Sequence, residues 1–422
     1  MTKKNDVMLV LNDLGYGFIK AEINNNGERI KIPSVITKKQ TYMAPNPDEI
    51  TDEYMDDFLN RMDVSVNSSS VQRTGRFLVG QAASKGASRT QTFNIYSGKG
   101  KSDDDLSVIL TLSMIAGSRV KEAYKNGEDL SQPLKVNVLM ATELPISEGR
   151  NVDKSRSYEE KYLGHKHVVT FNNFADPITV TVNFLMVHSY LEGETASLAL
   201  ANAAHGLKDF PELDELKKEI TEDYRKHYPE RAKQYGVEEI LEALNVFILD
   251  VGERTSDMVT TTDGAANPEA SDSVSLGNGT ALENARREAR VKGLANFRSR
   301  YDMKEFLSRK LVGPSAEKQK AVQELVDEQL QNLSDGILDA ASDILNLTAN
   351  STDAVYLLGG GSISLGESST LREDLQALLE SLNAKAPVIQ VGKESAQWVN
   401  EIGLKIAMLM MVHEAKEDGL ID

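Results

Sequence analysis

Four short stretches of the 422-residue chain carry side chains at spacings that could do chemistry. In Asp13-Leu14-Gly15-Tyr16-Gly17-Phe18-Ile19-Lys20 a carboxylate is followed by two glycines and then a lysine. Glycine lets backbone N–H groups approach an anion, so a turn of this kind can cradle a phosphate tail. Asp250-Val251-Gly252-Glu253-Arg254-Thr255-Ser256-Asp257 repeats the carboxylate and glycine, and adds a threonine hydroxyl and a second aspartate. Set opposite the first stretch, it would close on the same phosphates from the other side. Magnesium takes oxygen ligands and retains waters, so one or two carboxylates facing a triphosphate suffice to hold it, and Asp13 and Asp250 supply them. The third stretch, Val355-Tyr356-Leu357-Leu358-Gly359-Gly360-Gly361-Ser362, is an apolar run ending in three glycines, a flat surface for a planar base and its ribose. The fourth, Leu191-Glu192-Gly193-Glu194-Thr195, sets a carboxylate at a strand-to-helix junction, where it could orient a water. Each stretch taken singly is common in α/β proteins.

The flanking patterns supply scaffolds for these stretches. Residues 7–12 form an apolar run that ends at Asp13, followed by strand patterns at 18–23 and 28–32 with an Asn26-Gly27 turn between them. Residues 246–249 likewise end at Asp250, followed by strand patterns at 258–262 and 273–276 around an Asp263-Gly264 turn. The same unit, a buried strand ending in aspartate and then a glycine-bearing hairpin, opens each half of the chain. It predicts two related α/β domains facing one another. Residues 106–123 have helical apolar spacing, 134–141 read as a strand, and 167–171 with 178–187 alternate as a hairpin leading through Glu192 into a helix at 196–204.

Residues 209–244 are strongly charged, with Leu213, Leu216, Ile220 and Tyr224 at helical spacing, and predict a helical insertion solvated on one face. Residues 280–311 read as helical and locally basic through Arg286, Arg287, Arg290, Lys292, Arg298, Arg300 and Lys304, a solvated face in preference to a partner surface. Residues 315–347 predict a long amphipathic helix, and 44–52 and 63–73 flexible polar loops. A last helix begins near Glu401, with Met408, Met410 and Met411 packing in it and Trp398 as a core anchor before it. Of the six histidines only His165 and His167 are close together, and no metal-binding pattern emerges.

Composition bounds the function classes. A formal charge of −17, from 64 acidic and 47 basic side chains, disfavours attraction to phosphate backbones and anionic lipid, so neither direct nucleic-acid binding nor membrane binding is expected. With no cysteine there is no disulfide, thiolate metal site or cysteine nucleophile, which suits a reducing cytoplasm. Residues 1–6 are polar and lack the apolar core of a signal peptide, and no apolar run is long enough to span a bilayer. A soluble cytoplasmic protein is expected.

In this order the motifs resemble the fingerprint of the superfamily that contains actin, the bacterial plasmid-segregation actins, the seventy-kilodalton chaperones and the sugar kinases. Asp13 to Lys20 is similar to the first phosphate loop, Asp-x-Gly-x-Gly-x-x-Lys, and Asp250 to Asp257 to the second, Asp-x-Gly-x-x-Thr-x-Asp. Gly359 to Ser362 is similar to the adenosine motif, Glu192 lies where the first connecting motif should be, and Asn400-Glu401-Ile402-Gly403 looks like the second. Within the superfamily the chain looks most like the ParM-type segregation actins: it has no appended peptide-binding domain of chaperone type and nothing that resembles a sugar-binding loop. One departure is Tyr16, where many actins carry a serine whose hydroxyl approaches the γ-phosphate; here that contact falls to backbone N–H groups.

The resemblance implies an actin-like fold of two related α/β domains with a nucleotide cleft between them. The first would comprise 1–188 plus 405–422, with a small insertion at about 33–80; the second would comprise 189–404, with a charged insertion at about 206–244 and a helical subdomain at about 280–348. It implies a magnesium-dependent ATPase, with GTP as the alternative nucleotide. Such a protein self-associates into cytomotive filaments that drive plasmid DNA segregation through a centromere-binding adaptor protein, and hydrolysis controls filament disassembly. In that scheme Leu14, Gly15, Tyr16, Gly17, Lys20, Gly252, Glu253, Arg254, Thr255, Asp257, Gly359, Gly360, Gly361 and Ser362 form the nucleotide site. Lys20 neutralises the β- and γ-phosphates, Asp13 and Asp250 hold magnesium through its water shell, and Glu192, counted with Asp250 as catalytic, positions the attacking water, with Glu194 as the alternative. Asp257 has a second reading as a structural cap of its loop. A small-molecule kinase and a monomeric nucleotide-gated regulator are the other function classes on this fold.

Overall fold

A computed structural model describes residues 7–39, 47–72, 74–85, 90–93, 100–208, 210–348 and 351–421. Met1 to Asp6, Ala44 to Asn46 and Arg73 of the two polar loops, and Asp209 of the charged insertion lie outside the described residues. The chain divides into two compact units, Met1–Thr195 with Gly403–Asp422, and Ala196–Ile402. It passes from one to the other inside two helices, Glu194–Ala203 and Val399–Glu417.

The first unit is built on ten strands: β1 (Val7–Leu14), β2 (Phe18–Ile23), β3 (Arg29–Pro33), β4 (Val35–Lys38), β5 (Asp63–Ser68), β6 (Gly75–Val79), β7 (Gln91–Thr92), β8 (Leu134–Leu144), β9 (His167–Phe171) and β10 (Ile178–Leu191). They form one sheet in the order β3-β2-β1-β8-β10-β9-β5-β6-β4-β7. β1 runs antiparallel to β2 but parallel to β8, and β8 parallel to β10. Such central strands are covered on both faces and so read as near-continuous apolar runs. The helix Asp105–Lys125, capped by the Asp104 side chain on the Leu106 N–H, packs into that core through Val108, Ile109, Leu112, Ile115 and Ala116.

The second unit has β11 (Val246–Val251), β12 (Ser256–Thr262), β13 (Ala265–Ala266), β14 (Asp272–Val274), β15 (Ala354–Leu358) and β16 (Val388–Gln390), in the order β13-β12-β11-β15-β16 with β14 also on β12. β11 is antiparallel to β12 and parallel to β15, which is parallel to β16. This repeats the β2-β1-β8-β10 arrangement, so the duplication expected from the two Asp-ending strands extends to strand order and direction. The helix Pro314–Thr348 buries Val322, Val326, Leu330, Leu333, Ile337 and Ala341 at helical spacing against Ala281, Leu282, Ala285 and Ala289 of the helix Asn278–Val291. The charged insertion is helical over Pro211–His227, with Leu213, Leu216, Ile220 and Tyr224 all buried.

Several sequence expectations need correction. Residues 63–68 are not a loop but β5, paired with both β9 and β6; Val64 and Val66 point into the core, and buried Asp63 is neutralised by Arg76 and Lys39. Part of the expected small insertion therefore extends the main sheet. Residues 280–311 are two helices, Asn278–Val291 and Arg300–Ser308, because Gly293 at φ 67 terminates the first and the Ser299 side chain caps the second. The return from β12 is the two-residue β13, and the later strand is 272–274 in place of 273–276. Met408 and Met411 are buried, but Met410 is 54% exposed. Among the described residues no helix is long and apolar enough to cross a membrane.

Candidate functional site

The two phosphate-loop candidates close in the same way. In the β1–β2 hairpin Asp13 lies opposite Lys20 and Leu14 opposite Ile19, and the turn Gly15-Tyr16-Gly17-Phe18 is closed by the Gly15 N–H donating to Phe18 O at 2.9 Å. In the β11–β12 hairpin Asp250 lies opposite Asp257 and Val251 opposite Ser256, and the Gly252 N–H donates to Thr255 O, also at 2.9 Å. A Cβ on Gly15 would sit 2.8 Å from Phe18 O, so that closure calls for glycine; one on Gly252 would make a tight 3.1 Å approach to Thr255 O. The carbonyls of each turn are anchored on one side. Gly15 O accepts from Ser34 Oγ (2.7 Å) and Gly17 O from the Ser34 N–H (2.9 Å); Gly252 O and Glu253 O accept from the N–H groups of Asn278 (3.1 Å) and Gly279 (2.7 Å) at the start of the helix Asn278–Val291. Because a trans peptide points its N–H opposite to its C=O, the N–H groups of Tyr16, Phe18, Glu253 and Arg254 are turned away from these anchors, the arrangement an anion requires.

In the first unit, buried Asp13 accepts from Lys20 Nζ at 2.6 Å. Leu14 is 1% exposed. The Tyr16 ring packs against the core and meets Phe93 edge-on at 5.6 Å. Glu192 is buried at the end of β10, where its Oε1 accepts from Lys101 Nζ at 2.5 Å. Lys101 Nζ also donates to Leu14 O at 2.9 Å and lies 5.1 Å from the centroid of Tyr16. Burial would depress the Lys101 ammonium, but Glu192 above all, with Tyr16 and Glu148, holds its pKa above the ordinary lysine range. Glu194 instead turns back to accept from the Leu191 N–H at 3.3 Å, a local cap. At the end of β8, Glu143 is fully buried; Thr195 Oγ1 donates to its Oε1 at 2.5 Å. Burial, then the neighbouring Asp13 and Glu192 carboxylates, pushes the Glu143 pKa well above the usual carboxyl range.

In the second unit, Asn400 Nδ2 donates to Asp250 Oδ2 at 2.7 Å, so the connecting motif after Trp398 reaches the strand-end carboxylate. Gly403 in the same motif has no room for a Cβ, which would strike Thr195 O. Two of the three glycines at 359–361 answer to packing and not to a flat exposed face. A Cβ on Gly359 (φ 85) would strike Asp250 Oδ1, and one on Gly361 would lie 2.6 Å from Val251 Cγ1; only Gly360 has ordinary clearance, 3.8 Å from Gln397. Ser362 is buried, donating to Gly359 O at 2.9 Å and accepting from Gln390 Nε2 at 3.1 Å. Next to it opens a cavity of about 310 Å³ walled in part by Ser362, Ile363, Gln390 and Lys393. Glu253 pairs with Arg300 at 2.5 Å, which takes Arg300 out of the solvated basic face. Asp257, on β12, accepts from Thr255 Oγ1 at 3.2 Å.

Among the described residues no three His, Asp or Glu side chains are grouped to hold a metal by themselves. Asp13 in the first unit and Asp250 in the second are each oxygen donors of the kind magnesium takes. Lys101 and Glu143 are not singled out by the sequence. Lys101 stands in the hydrophilic run Gly100-Lys101-Ser102-Asp103-Asp104-Asp105, which looks solvated; Glu143 follows the apparent end of the strand at Ala141, although β8 continues buried to Leu144.

Comparison with known proteins agrees with this geometry. Residues 12–193 match the family model "Actin like proteins N terminal domain", and residues 248–371 match "Archaeal actin homologue MreB-like, C-terminal". No protein of curated function matches the sequence itself. Solved structures with a similar fold include Bacillus thuringiensis ParM with ATP, at TM-score 0.56 and 16% identity over 96% of this chain and 99% of that one. The actin-like protein Alp7A aligns at TM-score 0.67 and 15% identity over 98% and 99%, and Ta0583, an archaeal actin homologue, at 0.60 and 17% over 95% and 99%.

Proposed function

The chain is an actin-like protein, and from that premise we propose that it is a magnesium-dependent ATPase that polymerises with bound ATP and disassembles after hydrolysis. The observation that carries this reading is the duplicated turn: a buried aspartate ending a central strand, then a glycine-closed loop whose carbonyls are anchored on one side, once in each unit. Two such loops suit a ligand with several phosphates. Magnesium, when bound, would neutralise charge on the β- and γ-phosphates. Asp13 and Asp250 would hold it through its waters, and Lys20, already beside Asp13, would add a positive charge at the same place. Glu192 would orient the attacking water in preference to Glu194, whose Oε2 accepts from the Leu191 N–H. We extend the proposal to movement of plasmid DNA through an adaptor protein, in the cytoplasm, on the likeness to ParM.

Sedimentation after addition of ATP and magnesium tests the reading. A pellet that forms with ATP and redissolves as phosphate is released is the expected result. A chain that stays in the supernatant well above micromolar concentration, and releases phosphate only when a hydroxylated acceptor is present, would instead be a kinase.

A further inference from the structure

The first unit holds a buried cation that neither phosphate-loop pattern contains. Lys101 is 1% exposed, and its backbone and side chain are fixed from every direction. The two carboxylate oxygens of Glu148 accept from the N–H groups of Lys101 (2.9 Å) and Ser102 (2.8 Å), and Ser107 Oγ donates to Lys101 O at 2.5 Å. Gly100 admits this clamp, since a Cβ there would strike the Glu148 carboxylate. The ammonium so placed spends its hydrogen bonds on two groups, Glu192 Oε1 and Leu14 O. One is the proposed water-orienting carboxylate. The other is the carbonyl immediately before the first phosphate turn.

A buried ion pair is a poor device for stability, because desolvating both charges offsets most of their attraction and an apolar pair of like volume often serves as well. What it does supply is geometry. With Oε1 engaged by a fixed ammonium, the Glu192 carboxylate is held in one orientation.

We propose that Lys101 is a positioning residue for hydrolysis, locking the Glu192 carboxylate to the Leu14 end of the phosphate turn so that the water-orienting group and the phosphate cradle keep one spacing. This rests on the ATPase reading above. It assigns Lys101 an effect on turnover that works through Glu192 and not through nucleotide affinity.

The test is a double-mutant cycle on the full chain with Lys101→Met, Glu192→Gln and the pair together, reading kcat, nucleotide Kd and thermal unfolding. Lys101→Met should lower kcat about 100-fold, the typical loss for a positioning group, with Kd changed less than about threefold. In the Glu192→Gln background the same change should cause no further fall in kcat, since the two losses describe one device. The double variant removes both members of the buried ion pair together, so it keeps the comparison with Glu192→Gln available even if Lys101→Met alone fails to fold. Parental turnover in folded Lys101→Met, or a loss that multiplies fully onto that of Glu192→Gln, overturns the proposal while leaving the ATPase reading intact. Absence of nucleotide binding and hydrolysis in the parent chain would remove both.

Discussion

Glu143 shows how one side chain can carry a pH dependence of its own. Its carboxyl is fully buried, close enough to Asp13 and Glu192 to feel their charge, and held by Thr195 on one oxygen. Burial first, then those two carboxylates, raises its folded pKa well above the ordinary 4.5, so the folded protein keeps a proton that the unfolded chain releases. The stability tied to neutral Glu143 is therefore full below about pH 4.5 and is lost as pH climbs toward the raised folded value, at ~1.4 kcal/mol per pH unit within that window. Glu143→Gln keeps an acceptor for the Thr195 hydroxyl and removes the titration. Melting temperatures of the two proteins should coincide near about pH 4.5, and the glutamine variant should gain on the parent as pH rises above about 5. A difference between them that did not change with pH would mean that Glu143 is already ionised in the folded state.

At the scale of elements, the parts legible in the sequence are those whose cause is local. The two hairpins are readable because Asp, Gly and the flanking apolar alternation all lie within one short window, and the register Asp13 to Lys20 and Asp250 to Asp257 follows from the turn length alone. The helix Pro211–His227 is readable from the spacing of Leu213, Leu216, Ile220 and Tyr224 despite its charge, and those four residues are the buried face. Leu216→Ala, at a site with no exposure, should accordingly cost ~2–5 kcal/mol, measured by denaturant unfolding of the second unit's signal. A cost under about 0.5 kcal/mol, the range of surface substitutions, would show that this helix is not anchored by its stripe. What stays hidden depends on partners distant in the chain. β5 looks polar because Asp63, Ser65 and Asn67 alternate with its valines, and only the pairing with Arg76, Lys39 and the neighbouring strands makes it a strand. Lys101, Glu148 and Glu192 likewise acquire meaning only once the fold has brought the ends of separate elements together.

For the whole molecule, charge sets a condition on assembly that no single contact does. Each copy carries −17, spread over a chain whose basic helix segment is largely spent on its own acidic neighbours, as in Arg286 and Arg287 with Glu283 and Lys292 with Glu288. In the proposed filament, copies brought together would repel one another over a distance set by the Debye length, ~30 Å at 0.01 M salt and ~10 Å at 0.1 M. Short-range apolar and hydrogen-bonded contacts between copies are much less sensitive to salt over that range. Raising monovalent salt from about 0.01 M to about 0.1 M at fixed magnesium and ATP should therefore lower the concentration at which light scattering first rises. If that threshold climbed with salt, the copies would be held by complementary charged patches strong enough to outweigh the net repulsion, and substitutions that reverse exposed charges would become the way to find them.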